Sequence, residues 1–425
     1  MRITRYQKRL SLLLGITLCS VQLTMAQTSI KVYADPESTP GIKASKFIDH
    51  IDFIPLEAGK AAKYSSANNY KIAGDQLVVH DDQDNRLIFF DKKTGKYLYS
   101  FKNDKKRYKI VHFQYAPDRD ALLVTSLNKH YTISSKKAGQ LIGRWQNRDI
   151  AKFVQMQWID LKDHYRTKKM RVPSIALNND FTYLNGAYIF RNYQTNHYSK
   201  DTVLYRLVQY DAQQHIKHQY FPFLNLKGLW SDYYKYKLPL VENSTTSDSS
   251  MLFQVDFDPT IYELKPDTLI EKYRFVFPMK NSLPADYSSL SFRNDIDFQK
   301  YKDKNSTAFS EAYQIIEHGK VLIFSLNALS RKHSAFLLLN NILYDYTKVI
   351  TDSSIHNLPP TILRGICGQD KNYIYAIFNP MSILRQKEIL LKDATISQAF
   401  KDYLTQFQPE MADSYNDILL RIKIK

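Results

Sequence analysis

The sequence predicts an all-β fold: a six-bladed β-propeller with four-stranded blades, an N-terminal strand closing the last blade, and long loop or helix insertions on one face. Three observations point there. An apolar strand-like run, a second run, a tight turn and a third run recur six times along the 425 residues. Period-two alternation is widespread, as in Leu87-Ile88-Phe89-Phe90 and Leu419 to Ile424, while helical periodicity is scarce before residue 290. The sixth unit lacks a fourth strand and the segment Ile51–Glu57, before the first unit, is a spare one. Pairing the two closes a ring and removes a sheet edge that would otherwise template aggregation.

Taken in order, residues 1–26 read as a secretory signal peptide. Arg2, Arg5, Lys8 and Arg9 form a positive region, Leu10 to Val21 an apolar one, and Thr24-Met25-Ala26 a small-residue cleavage site. The apolar stretch is too short to span a bilayer, and Cys19 lacks the small residue that a lipoprotein signal needs before its cysteine. The mature chain is therefore expected to be exported, periplasmic or at the cell surface, without a transmembrane segment. Residues 27–45 are a lead segment and 46–425 the propeller.

The first unit comprises Asn69–Ala73, Gln76–Asp81, Arg86–Asp91 and Lys96–Phe101. The second comprises Lys109–Tyr115, Ala121–Ser126, His130–Ser134 and Gln140–Trp145. In the third, Ser174–Leu177 and Phe181–Leu184 precede Ala187–Tyr193, Thr202–Asp211 and His215–Phe221. The fourth has a poorly defined first strand near Leu238–Val241, then Met251–Phe257, Thr260–Leu264 and Ile270–Phe277. The fifth runs Tyr313–Glu317, Lys320–Leu326, Ser334–Asn340 and Tyr346–Ile350, and the sixth Thr361–Ile366, Asn372–Phe378 and Ile418–Ile424.

Turn lengths give the ring a direction. Turns between strands one and two, such as Ala73-Gly74-Asp75 and Asn185-Gly186, are short and rich in turn formers, as are those between strands three and four. The long segments 146–173, 222–245, 278–311 and 379–417 all fall on the other face. That elaborated face is where a ligand is expected. In the last insertion Ile396, Phe400, Leu404 and Phe407 follow helical spacing up to Pro409, as for a packed lid element.

Composition narrows the chemistry. Lys and Arg total 59 against 42 acidic residues, a net charge of +17, and removing the four basic residues of 1–26 leaves +13 (55 − 42). A basic exported chain is drawn to anionic surfaces. Cys367 is the one cysteine of the mature chain, so no intrachain disulfide forms. The 31 tyrosines suit exposed strands and loops. The 11 histidines show no zinc spacing, and neither a GxSxG elbow nor a complete calcium loop is present, the His80–Asn85 turn lacking the glycine and glutamate of an EF-hand. No metal or other cofactor is expected. Asp295, Asp297, Asp303 and Glu311 alternate with Arg293, Lys300, Lys302 and Lys304, the pattern of a solvated helix rather than a glycosidase pair.

The basic-aromatic links carry the best binding signal. Arg107 lies in the link between blades one and two. Arg166, Lys168 and Arg171 lie between blades two and three, and Trp230, Tyr233 and Tyr234 between blades three and four. Aromatic rings offer platforms for sugars, and guanidinium forks suit carboxylates or sulfates.

Several motifs resemble a known family. Ile51-Asp52-Phe53-Ile54-Pro55-Leu56-Glu57 is similar to the opening strand of the exported six-bladed β-propeller proteins common in Bacteroidetes. Leu87 to Asp91 with Thr94-Gly95-Lys96-Tyr97-Leu98 resembles that family's first blade. Thr260-Ile261-Tyr262-Glu263-Leu264 with Lys272 to Phe277 and Leu283-Pro284 resembles a later one, and Asn416 to Ile424 its closing strand. The resemblance implies the fold; it transfers no catalytic residue, and the family's frequent lipoprotein cysteine is absent here. The functional expectation is a non-enzymatic binding module for a glycan or other anionic envelope or nutrient ligand. The alternatives are a docking scaffold beside an outer-membrane uptake protein, or a propeller hydrolase or lyase with a channel-mouth site. Nucleic acid is not an expected partner of an exported chain.

Overall fold

Each second and third strand of a blade is apolar on both faces, because a blade is sandwiched between two neighbours. Leu77, Val78 and Val79 are fully buried, as are Leu87, Ile88, Phe89 and Phe90. In the computed structural model the strands assemble into six four-stranded sheets. The described residues are 29–65, 67–103, 108–128, 154–170, 181–191, 205–213, 215–222, 249–255, 257–285, 287, 290, 292, 295–329, 332–356, 365–406 and 416–425.

Blade one is Ala67–Ala73, Gln76–Asp81, Arg86–Asp91 and Tyr97–Lys102; blade three is Phe181–Leu184, Ala187–Arg191, Tyr205–Tyr210 and Ile216–Pro222. Both follow the sequence reading closely. Blade six closes as expected: Ile366–Gln369, Tyr373–Phe378 and Ile418–Ile424 are completed by Ile48–Pro55, antiparallel with Phe53 opposite Leu420. Arg421 grips Asp52 across this closure at 2.8 and 2.9 Å.

Blade two departs from expectation. Its third and fourth strands are Val154–Asp160 and Thr167–Lys169, following Tyr108–Ala116 and Ala121–Asn128. The expected strands 130–134 and 140–145 lie outside the described residues, and their places in the sheet are taken. Val154, Met156 and Trp158 alternate as a strand should, within a segment read as a link. In blade five the outer strand is Ile342–Asp345, not Tyr346–Ile350. The cause is the two-residue turn Asn340-Asn341, with φ of 50° and 64°, which reverses the chain earlier. Asp345 then caps a 3₁₀ turn over Tyr346–Lys348, accepting from the Thr347 amide at 2.9 Å. The fourth blade contains Met251–Gln254, Thr260–Leu264 and Leu269–Val276; the expected first strand at 238–241 lies outside the described residues.

The lead segment is more than a lead. Ile30–Tyr33 adds to blade four as an outer strand, parallel to Leu269–Val276. The chain then crosses to blade five, where Pro40 accepts from the Asp345 amide and Ile42 from the Ile350 amide, each at 2.8 Å. The Ser45 amide donates to Asp352 Oδ2 at 2.9 Å, and the closing strand of blade six follows. Residues 30–55 thus form a strap around the outer edges of three consecutive blades. Gly41 lets it lie flat: a Cβ there would sit 2.0 Å from the Lys348 carbonyl oxygen.

Inside the ring, carboxamides lock blade to blade. Gln114 donates to the Tyr183 carbonyl at 2.8 Å and accepts from its amide at 2.7 Å. Gln254 accepts from the Ala312 amide at 2.8 Å. The insertion after blade four carries the helix Asp295–Lys304 (α1) and a small core of Tyr287, Phe292 and Phe298. The last insertion carries Pro380–Leu384 (α2), Lys387–Lys392 (α3) and Gln398–Gln406 (α4). Phe400 of α4 stacks on Phe53 at 4.6 Å, so this element packs on the closing strand of blade six. No helix among the described residues is long and apolar enough to cross a membrane.

Candidate functional site

Of the residues predicted to bind ligand, Trp230, Tyr233, Tyr234, Arg107 and Arg171 lie outside the described residues. Arg166 and Lys168 are described, and their position is a correction. Because Val154–Asp160 and Thr167–Lys169 are strands three and four, residues 161–166 form the turn between them. That turn lies on the trimmed face, where the Leu161 amide donates to the carbonyl of Asp120, a residue of the turn between strands one and two, at 3.1 Å. The segment is therefore not a link between blades two and three.

This turn is held rigidly. His164 and Tyr165 adopt φ of 45° and 57°, conformations that need support from their surroundings. Tyr165 supplies it. Its ring stacks on Tyr99 of blade one at 4.2 Å, 9° from parallel, and lies 4.9 Å from Phe89. Burial raises its phenol pKa, which keeps the hydroxyl protonated beside Gln76 at 3.3 Å. With the aromatic side pinned, the cations project outward: Lys162 and Arg166 are 80% and 81% exposed, and Lys168 and Lys169 are exposed. Asp120 lies 3.2 Å from Lys162 and Asp163 3.7 Å from Arg166. Ion pairs this exposed are screened and weak, and leave the cations open to other anions.

Lys168 stands directly opposite Trp158 in the sheet, so both side chains share the side of blade two that faces blade three. There the Arg119 guanidinium lies 4.9 Å over the Trp158 ring, and its Nε donates to the Tyr183 hydroxyl at 2.8 Å. Tyr183 in turn donates to Asp118 at 2.7 Å and meets Trp158 edge-on at 5.2 Å. The surface thus combines exposed cations with a partly exposed indole. Sequence reasoning missed Arg119 and Trp158. The alternation of Val154, Met156 and Trp158 would have found the strand and put the indole opposite Lys168.

Other chemistry-bearing residues have structural surroundings. Asp81 ties the polar turn by accepting from Arg86 at 3.2 Å. His215 is an exposed residue of the turn before Ile216–Pro222, its amide donating to Asp211 Oδ1 at 2.8 Å. Burial pushes the Cys367 thiol up to about 12, which leaves it unreactive. Among the described residues no three His, Cys, Asp or Glu side chains are grouped to hold a metal ion.

A family model described as a six-bladed beta-propeller matches residues 27–104, spanning the strap, the closing strand and blade one. No curated protein matches the chain. Among solved structures, a protein of Bacteroides fragilis NCTC 9343 provisionally described as exported is similar at 13% identity. The alignment covers 93% of this chain and 99% of that one, with a TM-score of 0.55. An oligogalacturonate lyase in complex with manganese aligns at 8% identity over 86% of this chain and 79% of its own, with a TM-score of 0.40. PorZ, a surface component of the type-IX secretion system of Porphyromonas gingivalis, aligns at 9% identity over 77% and 36%, with a TM-score of 0.30. The first of these is a likeness of fold; the other two are too distant to carry an argument about chemistry. The chain is thus similar to exported six-bladed propellers of the Bacteroidetes type, as its motifs implied.

Proposed function

We propose that the protein is a binding module for an acidic glycan, held along the rim of blade two by Lys162, Arg166, Lys168 and Arg119 with Trp158 as a sugar platform. The observation that carries this reading is the pinned turn at Tyr165, which presents Lys162 and Arg166 outward from the same blade on which Lys168 stands opposite Trp158. A net charge of +13 without residues 1–26 (55 − 42) adds long-range attraction for a polyanion. Charge pairing at an exposed surface must weaken with salt, whereas stacking on Trp158 must not.

The test is retention of the protein lacking residues 1–26 on immobilised polygalacturonate or a sulfated glycan, eluted with salt. The triple variant Lys162→Glu, Arg166→Glu, Lys168→Glu is expected to lose about ten-fold or more in affinity with an unchanged melting temperature. Trp158→Ala is expected to weaken binding at high salt as well as low. Equal retention of the triple variant and the wild type would remove the basis of the proposal.

A further inference from the structure

The trimmed face sorts its charges by distance from the central axis. Turns between strands one and two lie nearest the axis, and in blades one, two and six they carry carboxylates: Asp75, Asp118, Asp120 and Asp370. Turns between strands three and four lie at the rim, where blade one carries Lys93 and Lys96, and blade two Lys162 and Arg166. Blade six takes its fourth strand from Ile48–Pro55, so its third strand ends at this face, with Lys423 directly opposite Tyr373. The Lys423 ammonium and the Arg421 guanidinium each lie 5.0 Å from the centroid of the Tyr373 ring.

Contacts join these three blades on this face. Lys92 donates to Asp370 at 2.7 Å and lies 5.5 Å from the centroid of the Tyr375 ring, itself 6.3 Å from Tyr373. On the other side Tyr165 of blade two stacks on Tyr99 of blade one. The rim cations of blades six, one and two thus form one band. Three of the inner carboxylates are already satisfied: Asp370 accepts from Lys92 and Tyr375, Asp120 from Tyr115 and Asp118 from Tyr183. The rim cations are not matched in that way. Lys96, Lys168 and Lys423 enter no ion pair among the described residues, and Lys93 lies 3.8 Å from Asp75 with both side chains exposed, a weak pairing. A polyanion is therefore drawn to the rim and kept off the channel mouth by the inner carboxylates.

We infer that the blade-two surface is one end of a longer track. The ligand is a linear acidic glycan, bound through an internal stretch that follows the rim across blade one to Lys423 of blade six. This inference rests on the blade-two reading and adds to it the ligand's length and path. Exposed side chains along a face do not enclose a chain end, so binding depends on the number of acidic units and not on the end group. Once blade two holds one unit, the next units meet Lys93 and Lys96 without a second association step, and individually weak pairings compound.

The test compares galacturonate oligomers of about three and about ten units by calorimetry on the protein lacking residues 1–26. The longer oligomer is expected to bind about 100-fold more tightly, well above the roughly eight-fold that its number of three-unit stretches supplies by statistics alone. Lys96→Glu combined with Lys423→Glu is expected to cut the preference to that statistical level with an unchanged melting temperature. Should this variant fail to fold, Lys96→Gln with Lys423→Gln replaces it. Reducing the terminal sugar of the longer oligomer to its alditol is expected to leave its affinity unchanged. The inference is overturned by a wild-type preference no greater than about eight-fold, by a double variant that keeps the full preference, or by loss of binding on reduction of the chain end. The variant Lys162→Glu, Arg166→Glu, Lys168→Glu separates the two readings. If it binds both oligomers as the wild type does, the blade-two reading itself fails; if it loses them while the wild type shows no length dependence, only the longer track fails.

Discussion

Lys71, on the innermost strand of blade one, is buried at the seam with blade two, its Nζ 5.3 Å from the centroid of the Phe113 ring. Burial pulls its ammonium down from 10.5 to about 7. The unfolded chain holds that proton up to its ordinary value, so between those limits the folded state binds fewer protons. Folding is penalised below the folded pKa and the penalty fades as pH rises towards 10.5. Lys71→Met is therefore expected to raise unfolding free energy at pH 6 by roughly 1–3 kcal/mol and to give little gain by about pH 10. Urea titrations at the two pH values measure this, and a loss of stability at pH 6 would mean that the amine contributes more than its desolvation costs. The tyrosines are a further case in which position outweighs composition. Tyr115 donates to Asp120, Tyr183 to Asp118, Tyr262 to Asp258 and Tyr375 to Asp370. Their abundance suggested exposed strands; many instead tie turns and blade seams through a carboxylate. Sequence alone supplies no spacing for such pairs, because Tyr183 and Asp118 meet across two blades.

At the scale of elements, the strands of blades one, three and six were legible because alternation and turn formers agree there. Blade two was not, because strands three and four follow a long segment and the shorter is three residues, Thr167–Lys169. The consequence for the site was direct: a shift in strand assignment moved Arg166 from one face of the ring to the other. The strap was hidden for a different reason. Its partners are the outer edges of blades four and five, and edge pairing leaves almost no pattern in a four-residue strand such as Ile30–Tyr33. Gly41→Ala tests the strap directly, since a methyl group would meet the Lys348 carbonyl. The variant is expected to lose roughly 1–3 kcal/mol and to show faster hydrogen exchange at Ala44, Asp345 and Ile350, whose amides donate across the strap. Unchanged exchange at Asp345 and Ile350 would show that the strap does not hold the edge of blade five.

For the molecule as a whole, the ring is closed by residues at both ends of the chain. Ile48, Ile51, Phe53, Ile54 and Leu56 are all buried against that closure or beside it. At about 1.5–3 kcal/mol for each fully buried large side chain, their removal is comparable with the roughly 5–15 kcal/mol that keeps a whole domain folded. A chain beginning at Gly59 is expected to lose its single cooperative melting transition. Size-exclusion chromatography should show it self-associating through the exposed edge of Ile418–Ile424. A monomer with the wild-type transition would show that closure contributes little. The ring also explains why binding residues are hard to read from sequence: side chains that share a rim come from segments tens of residues apart, such as Arg119 and Tyr183.

Asp52 and Arg421, the pair across the closure, are 369 positions apart. On a ribosome adding about 5–20 residues per second, the first waits roughly 20–70 s for the second to be made. Through that interval the strap and closing strand have no completed ring to join, and each is a β-segment in need of a partner. The architecture thus imposes a delay that a chaperone, or passage across a membrane before folding, would have to cover.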